Sequence, residues 1–330
     1  MIKASSVVHY AQSSLAALLK SPSVPSRPVV LTIEPTNVCN LRCPVCETGA
    51  GILRRPKGMM SLDDFKRILD NVGGQVNQIL LYFMGESFLN KQIYDMIVEA
   101  KRRKIYVSAC TNGEFVDGKR LVESGIDEIS FQIGGLTQET HEKYRVGGNI
   151  AATFQHLLDT TQARDSKHSP ALGSDCRHLH PKTINGLIVM RHNEHQVPEF
   201  LRESGKQGII SEIINPCVRT VEQARELLPA NRKYWIYDEA ALNQGILRPK
   251  TIPSRCWWIY YSTVVCWNGD IVPCCRDAHE DWVMGNVLRD DFGDIWNGEK
   301  YRRFRKLVAT GIGNVKVCSL CSGFGVPRLK

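Results

Sequence analysis

Long apolar runs are missing from this chain. No stretch approaches the roughly 18 uncharged apolar residues of a membrane span, which excludes a transmembrane helix. Internal repeats are missing as well, which excludes solenoids and propellers. Basic runs interleaved with aromatics are absent, so the net charge of +8 does not read as a nucleic-acid surface, and no nucleic acid partner is expected. Lys101–Lys104 closes an expected helix, where cations suit the dipole, and Arg302, Arg303, Arg305 and Lys306 lie on an amphipathic stretch. No secretory pattern marks the N-terminus. Val7, Val8, Tyr10, Leu15, Leu18 and Leu19 recur at near-helical spacing, but Gln12, Ser13 and Ser14 interrupt them. Residues 1–27 therefore read as an amphipathic extension packed on the domain, with peripheral membrane contact as the alternative.

What is present is globular composition: 330 residues, 43% hydrophobic and 23% charged, enough for about two domains. The unusual number is 12 Cys, grouped in close clusters. Without a secretory signal, clustered thiols point to a reducing, cytoplasmic setting and to metal or cluster ligation over disulfides.

Apolar runs and helical patterns alternate from about residue 28 to 215. The runs Val29–Ile33, Gln78–Phe83, Ile105–Cys110, Glu128–Ile133, Thr183–Met190 and Gly208–Ile214 predict six strands. Between them lie helical segments, the first opened by Ser61 with Asp64 three residues on. Continuous apolar strands alternating with helices predict a parallel α/β sheet curling into a partial barrel. Functional groups should then lie at the strands' C-terminal ends. Residues 165–181, rich in Ser, His and Pro, read as an inserted loop. Residues 216–254 read as a helical linker, and 255–330 shift to Cys, Trp and Tyr with Asn268–Gly269 as a hairpin signal. That last segment reads as a small domain with a thin core.

Directly after the first strand, Cys39, Cys43 and Cys46 are spaced C-x3-C-x2-C. Three thiolates can hold three irons of a [4Fe–4S] cluster and leave one iron open. A structural zinc site wants four ligands and stays as the alternative. With its strand context this motif resembles the radical S-adenosylmethionine (radical SAM) superfamily. Met84-Gly85-Glu86-Ser87 after strand two resembles that family's Gly-Gly-Glu-Pro element, and Thr111-Asn112-Gly113 matches another after strand three.

The resemblance implies a partial (β/α)6 TIM barrel of the radical SAM type. It implies a [4Fe–4S] cluster whose open iron chelates SAM, with Gly85, Glu86, Asn112, Gln132, Arg145 and Asn193 around SAM. Where many relatives have Ser-x-Asp-Gly, this chain has Gln132-Ile-Gly-Gly135. One electron from the cluster would cleave SAM to a 5′-deoxyadenosyl radical that abstracts hydrogen from the substrate.

Cys256, Cys274, Cys318 and Cys321 form a second set, with Gly269 five residues before Cys274. Four thiolates without a vacancy suit a fully ligated cluster or zinc. The pattern resembles the SPASM/twitch extension of radical SAM enzymes, a small β-hairpin/helix iron–sulfur domain. With no cysteine after Cys321, the resemblance implies a single auxiliary [4Fe–4S] cluster. Cys275 is the alternative to Cys274, and Cys110, Cys176 and Cys266 read as ordinary thiols.

One-cluster members of the superfamily include dehydrogenases that pass a substrate electron to the auxiliary cluster. The expected activity is therefore oxidation of a small sugar, cyclitol or nucleoside, with flavodoxin or ferredoxin as electron donor. Asp277 and Arg276 are the candidates for acid–base work, and Cys217 is a candidate hydrogen donor. The rival expectations are a peptide maturase, a redox-neutral decarboxylase, dehydratase or epimerase, and a zinc-binding protein without catalysis.

Overall fold

Val30–Ile33 is buried at every position and forms the first strand, β1. It is buried throughout, Thr32 included, because a parallel sheet is covered on both faces. β2 (Gln78–Leu81), β3 (Tyr106–Thr111), β4 (Glu128–Ile133), β5 (Lys182–Ile188) and β6 (Ile210–Ile214) follow, each parallel to the one before. The connections carry α2 (Leu62–Val72), α3 (Ile93–Arg102), α4 (Gly118–Glu123), α5 (Gln138–Glu142), α6 (Ile150–Lys167) and α7 (Val197–Lys206), after an N-terminal helix α1 (Ala4–Leu18). α2 starts as its sequence demands: the Ser61 hydroxyl accepts the Asp64 N–H at 3.0 Å. The computed structural model describes residues 2–167 and 180–330. Cys176 and most of the expected inserted loop lie outside the described residues.

The C-terminal third holds α8 (Val221–Leu227), α9 (Glu239–Asn243), α10 (Trp258–Tyr261), strands β7 (Ser262–Val265), β8 (Asp270–Val272) and β9 (Gly285–Asn286), then α11 (Phe292–Trp296) and α12 (Glu299–Thr310). The hairpin does not stand apart. β7 pairs in parallel with β1, from Val30 opposite Ser262 to Ile33 opposite Val265. The sheet order is β6-β5-β4-β3-β2-β1-β7-β8-β9. An uncovered β1 would leave a row of unpaired backbone groups, which β7 fills. The core is shared likewise: Phe292, Trp296, Tyr301 and Phe304 belong to the cluster that includes Leu31, Ile79 and Val107.

α1 packs on the domain as expected, but by its other face. Val7, Val8, Leu15, Leu18 and Leu19 are 50–70% exposed, whereas Ser6, Ser13, Ala16 and Ala17 are buried. The buried serines are satisfied: Ser13 Oγ lies 2.7 Å from Ser26 Oγ, and Ser6 Oγ donates to the Gln75 carbonyl at 2.8 Å. Small side chains let the helix approach closely, and paired hydroxyls remove the penalty of burial. Among the described residues no helix is long and apolar enough to cross a membrane.

Candidate functional site

The loop leaving β1 carries Cys39, Cys43 and Cys46, and it turns tightly: the Cys46 N–H donates to the Cys43 carbonyl at 3.2 Å. The Leu41 N–H points at Cys39 Sγ at 3.4 Å, and Arg145 Nη1 at Cys43 Sγ at 3.8 Å. The three thiols are close enough to act on one another electrostatically. Burial pushes the Cys39 thiol up to about 12, so it is protonated in the free protein. Burial works against the Arg145 charge, yet Cys43, Tyr144 and Cys46 hold its pKa above the usual arginine range. A cation held near two of the three thiols suits a set that becomes anionic on binding iron.

The loop after β2 comes close to that cysteine loop. The Glu86 N–H donates to the Val38 carbonyl at 2.8 Å, and Gly85 sits at φ +80°. A Cβ on Gly85 would lie 2.6 Å from the Thr36 carbonyl oxygen and 2.7 Å from that of Val38. Glycine is required there. Buried Glu86 accepts from Phe88 N–H (3.1 Å), Thr111 Oγ1 (2.9 Å) and Asn112 N–H (2.7 Å). Burial raises its pKa and these three bonds oppose the shift. A carboxylate accepts about four hydrogen bonds, so one position remains for an ammonium donor.

Asn112 Nδ2 reaches Asn40 at 2.8 Å, tying the end of β3 to the cysteine loop. Gln132 Nε2 donates to Ser130 at 2.6 Å. Asn193 is fully buried, with both amide hydrogens on the Gly134 and Ile188 carbonyls at 2.7 and 2.9 Å. It braces β5 against the loop after β4.

The expected linker is a wall of the site. Val218, Ala224, Leu228, Trp235 and Tyr237 pack in one cluster with Leu41, Cys43 and Val45. The buried Tyr237 hydroxyl bonds the Val218 backbone on both sides, accepting from its N–H and donating to its carbonyl at 2.7 Å each.

The second cysteine set converges independently. Cys256, Cys274, Cys318 and Cys321 line one enclosed cavity whose other walls include Ile259, Phe304 and Ile312. Backbone N–H groups face two of the sulfurs: Arg276 to Cys274 at 3.4 Å and Gly323 to Cys321 at 3.3 Å. Burial pushes Cys318 up to about 12. Cys275 lines the larger cavity described next, where Cys274 does not. Among the described residues no three Cys, His, Asp or Glu side chains converge tightly enough for a single metal ion. Tetrahedral zinc would draw its thiolates within about 4 Å of each other. Four thiols around one enclosed cavity, two of them faced by backbone N–H groups, suit a cluster ligated at each of its irons.

Between the two sets lies a cavity of about 440 Å³. Val45 and Met84 border it from the first site, Cys275 and Arg276 from the second, and Cys217 and Arg219 from beyond β6. Asp277 is not among its lining residues: it is buried and caps its own loop, accepting from Asp281 N–H at 2.8 Å and Trp282 N–H at 2.9 Å. Sequence reasoning passed over His279 and Arg219, which do face the cavity, and over Glu47, whose Oε1 lies 3.1 Å from Arg219 Nε. Each is a single polar residue without a spacing signal; the fold alone assembles them.

A clamp joins the two halves. Arg55 is paired through both Nη atoms with the buried carboxylate of Glu34, and Nη1 also reaches Glu280 at 3.3 Å. Arg55 Nε donates to the Ala278 carbonyl at 2.8 Å, and Glu34 accepts the Met84 and Trp267 N–H groups at 3.3 and 3.2 Å.

Comparison with known proteins agrees with this geometry. The family model described as the radical SAM superfamily matches residues 33–166. A model described as an iron–sulfur cluster-binding domain, SPASM, matches residues 256–322. The chain is 34% identical over 307 residues to the S-adenosyl-L-methionine-dependent 2-deoxy-scyllo-inosamine dehydrogenase of Niallia circulans, spanning 90% of this chain and 94% of the relative. It is 24% identical to the PqqA peptide cyclase of Granulibacter bethesdensis, over 83% and 76% of the two chains. Among solved structures, Streptococcus suis SuiB bound to S-adenosylmethionine superposes with a TM-score of 0.66 at 17% identity, over 96% of this chain and 77% of that one. BtrN in complex with AdoMet and 2-DOIA gives 0.53 at 18% identity, over 88% and 91%. These structural likenesses concern the fold.

Proposed function

The chain belongs to the radical SAM superfamily and carries a SPASM-type iron–sulfur domain, and on that premise we propose that it oxidises an alcohol carbon of a small sugar, cyclitol or nucleoside. The observation that carries this reading is a cavity lined by the sequence neighbours of both cysteine sets: Val45 beside Cys46, Cys275 beside Cys274, and Ser319 and Leu320 between Cys318 and Cys321. The relative from Niallia circulans, a cyclitol dehydrogenase by name, supports the substrate class.

When bound, the cluster and SAM supply the 5′-deoxyadenosyl radical that takes one hydrogen atom from the substrate. Cys39, Cys43 and Cys46 would hold that cluster, and Glu86 would take the SAM ammonium in its remaining acceptor position. Oxidation to a carbonyl then requires one proton and one further electron to leave. His279, which lines the cavity and has Nδ1 buried and unpartnered, would take the proton. Cys256, Cys274, Cys318 and Cys321 would hold an auxiliary cluster, the group that would accept that electron. A flavodoxin- or ferredoxin-type donor would supply the electron that cleaves each SAM. Tyr237, Trp235 and Val218, packed over the cysteine loop, exclude water from the radical's surroundings.

The test is anaerobic reconstitution followed by assay with alcohols deuterated at the carbon to be oxidised. The expected result is one carbonyl product per 5′-deoxyadenosine, with deuterium in the deoxyadenosine. SAM cleavage triggered by peptides and by no sugar, cyclitol or nucleoside would overturn the proposal, as would zinc in place of iron.

A further inference from the structure

The cavity between the two cysteine sites is unevenly charged. Arg219, Arg276 and Lys316 line it, against Glu47 and Asp281. The acids are paired in part: Asp281 Oδ1 lies 2.5 Å from Arg54, and Glu47 Oε1 lies 3.1 Å from Arg219 Nε. Arg276 is flanked by the thiols of Cys217, Cys321 and Cys275, which act on it electrostatically. Arg219 is paired with Glu47 and still has donors to spare. Both of its Nη atoms are sealed from solvent with no hydrogen-bond partner, which leaves four N–H donors facing no acceptor. Buried donors without acceptors are costly, and a guanidinium in this state is prepared for a planar or tetrahedral oxyanion. His279 Nδ1, on the same cavity, is also buried without a partner, and exposed Lys316 adds a cation at the rim.

We infer that the substrate carries an oxyanion, a carboxylate or a phosphate, and that Arg219 receives it with Lys316 assisting at the cavity mouth. This inference rests on the small-sugar reading above and narrows it: an acidic or phosphorylated substrate is favoured over a neutral or amino one, which sets this chain apart from the inosamine dehydrogenase it resembles. Arg219 acts as a specificity residue. Its Nε lies 3.1 Å from Glu47, in the loop just after Cys46, and this ion pair ties the guanidinium to the first cysteine site. The oxyanion thereby anchors the far end of the substrate, while the carbon to be oxidised faces the cysteine loop.

The experiment measures binding to the anaerobically reconstituted enzyme with SAM, by calorimetry, for glucose, glucosamine, glucuronate and glucose 6-phosphate. At least one of the two anions is expected to bind about tenfold or more tighter than glucose or glucosamine, with the advantage shrinking as salt rises. The carboxylate and phosphate arms tell which oxyanion fits. Arg219→Gln should abolish the preference, Arg219→Lys should keep part of it, and Lys316→Gln should weaken it with no loss of fold, since Lys316 is exposed. Iron content and melting temperature of each variant identify one that fails to fold, in which case Lys316→Gln and the salt series carry the test.

Equal or tighter binding of glucose or glucosamine overturns the inference, as does no measurable binding of either anion. A loss of SAM affinity in Arg219→Gln with the sugar preference intact also overturns it, because Arg219 would then serve the SAM carboxylate. The two proposals fail separately. Anion-selective binding with no stimulated SAM cleavage by any sugar refutes the oxidation reading and leaves the oxyanion site standing. Turnover of a neutral sugar does the reverse.

Discussion

Replacing Arg55 with Met leaves the Glu34 carboxylate buried without its cation. Glu34 is 0% exposed and the Arg55 side chain 3%, so neither charge has water to fall back on. Two backbone N–H groups, from Met84 and Trp267, would remain on the carboxylate at 3.3 and 3.2 Å, and the Ala278 carbonyl would lose its donor. Breaking one partner of a buried pair typically costs about 3–5 kcal/mol, because the stranded charge is worse than no charge. Against a stability of about 5–15 kcal/mol for a folded protein, that lowers the folded-to-unfolded ratio by about two to three and a half powers of ten. The double variant Glu34→Gln/Arg55→Met removes the stranded charge and should be more stable than Arg55→Met alone. Anaerobic urea unfolding of the cluster-free protein, followed by circular dichroism, gives all four corners of the cycle. An Arg55→Met protein within about 1 kcal/mol of the parent would refute the reasoning. So would a double variant whose loss is the plain sum of the two single losses.

Gly85→Ala must place a Cβ against the Thr36 and Val38 carbonyls from a φ of +80°; a loss of about 2–4 kcal/mol is expected, with iron content falling from about eight to about four per chain. Cys274→Ser should likewise lose about four irons, whereas Cys275→Ser should retain them, because Cys275 faces the other cavity. On α1, Leu15→Ser should change stability by less than about 0.5 kcal/mol, while Ser13→Leu should cost about 1–3 kcal/mol by overpacking and by stranding Ser26. Thermal melts of the two α1 variants decide which face is packed. Burial holds the His141 pKa down at about 4 from 6.5, so the unfolded chain binds the extra proton between those values and stability falls as pH drops through them, by about 3 kcal/mol in all. Urea midpoints of the cluster-free protein at pH 7 and 4.5 should show the drop, and His141→Asn should flatten it.

The barrel was legible because its signals are local. Glu128–Ile133 matches its expected span, and the other strands shift by one or two residues at their ends, where fraying and turns compete with apolar pattern. The two cysteine sets were legible because ligand spacing is written in the chain itself. What escaped depends on partners far away in sequence. The packed face of α1 is its small, hydroxylated one, which wins through close approach and through Ser26 and Gln75, residues that a helical wheel does not contain. Arg219, His279 and Lys316 carry no mutual spacing, yet one cavity wall gathers them from three separate segments. Asp277 was singled out for standing three residues after Cys274, but proximity in sequence gave it a loop to cap instead of a substrate to face.

The pairing of β7 with β1 was equally out of reach, and it bears most on the chemistry. Val264, Cys266 and Val272 of the hairpin cluster with Phe83 and Cys275, so the second cysteine segment shares packing with the barrel. Strand pairing, the Glu34–Arg55 clamp and the Trp267 N–H all hold the two sites in one rigid arrangement. On the proposed oxidation, an electron acceptor fixed relative to the cavity would favour a second oxidation step directly after hydrogen abstraction, before the substrate radical meets other partners. Loosening the clamp should therefore damage the ratio of carbonyl product to 5′-deoxyadenosine more than it damages SAM cleavage. Glu280→Gln, at the half-buried end of the clamp, is the milder variant for that measurement. An unchanged product ratio in Glu280→Gln and in the Glu34→Gln/Arg55→Met pair would show that rigidity between the sites has no part in the oxidation.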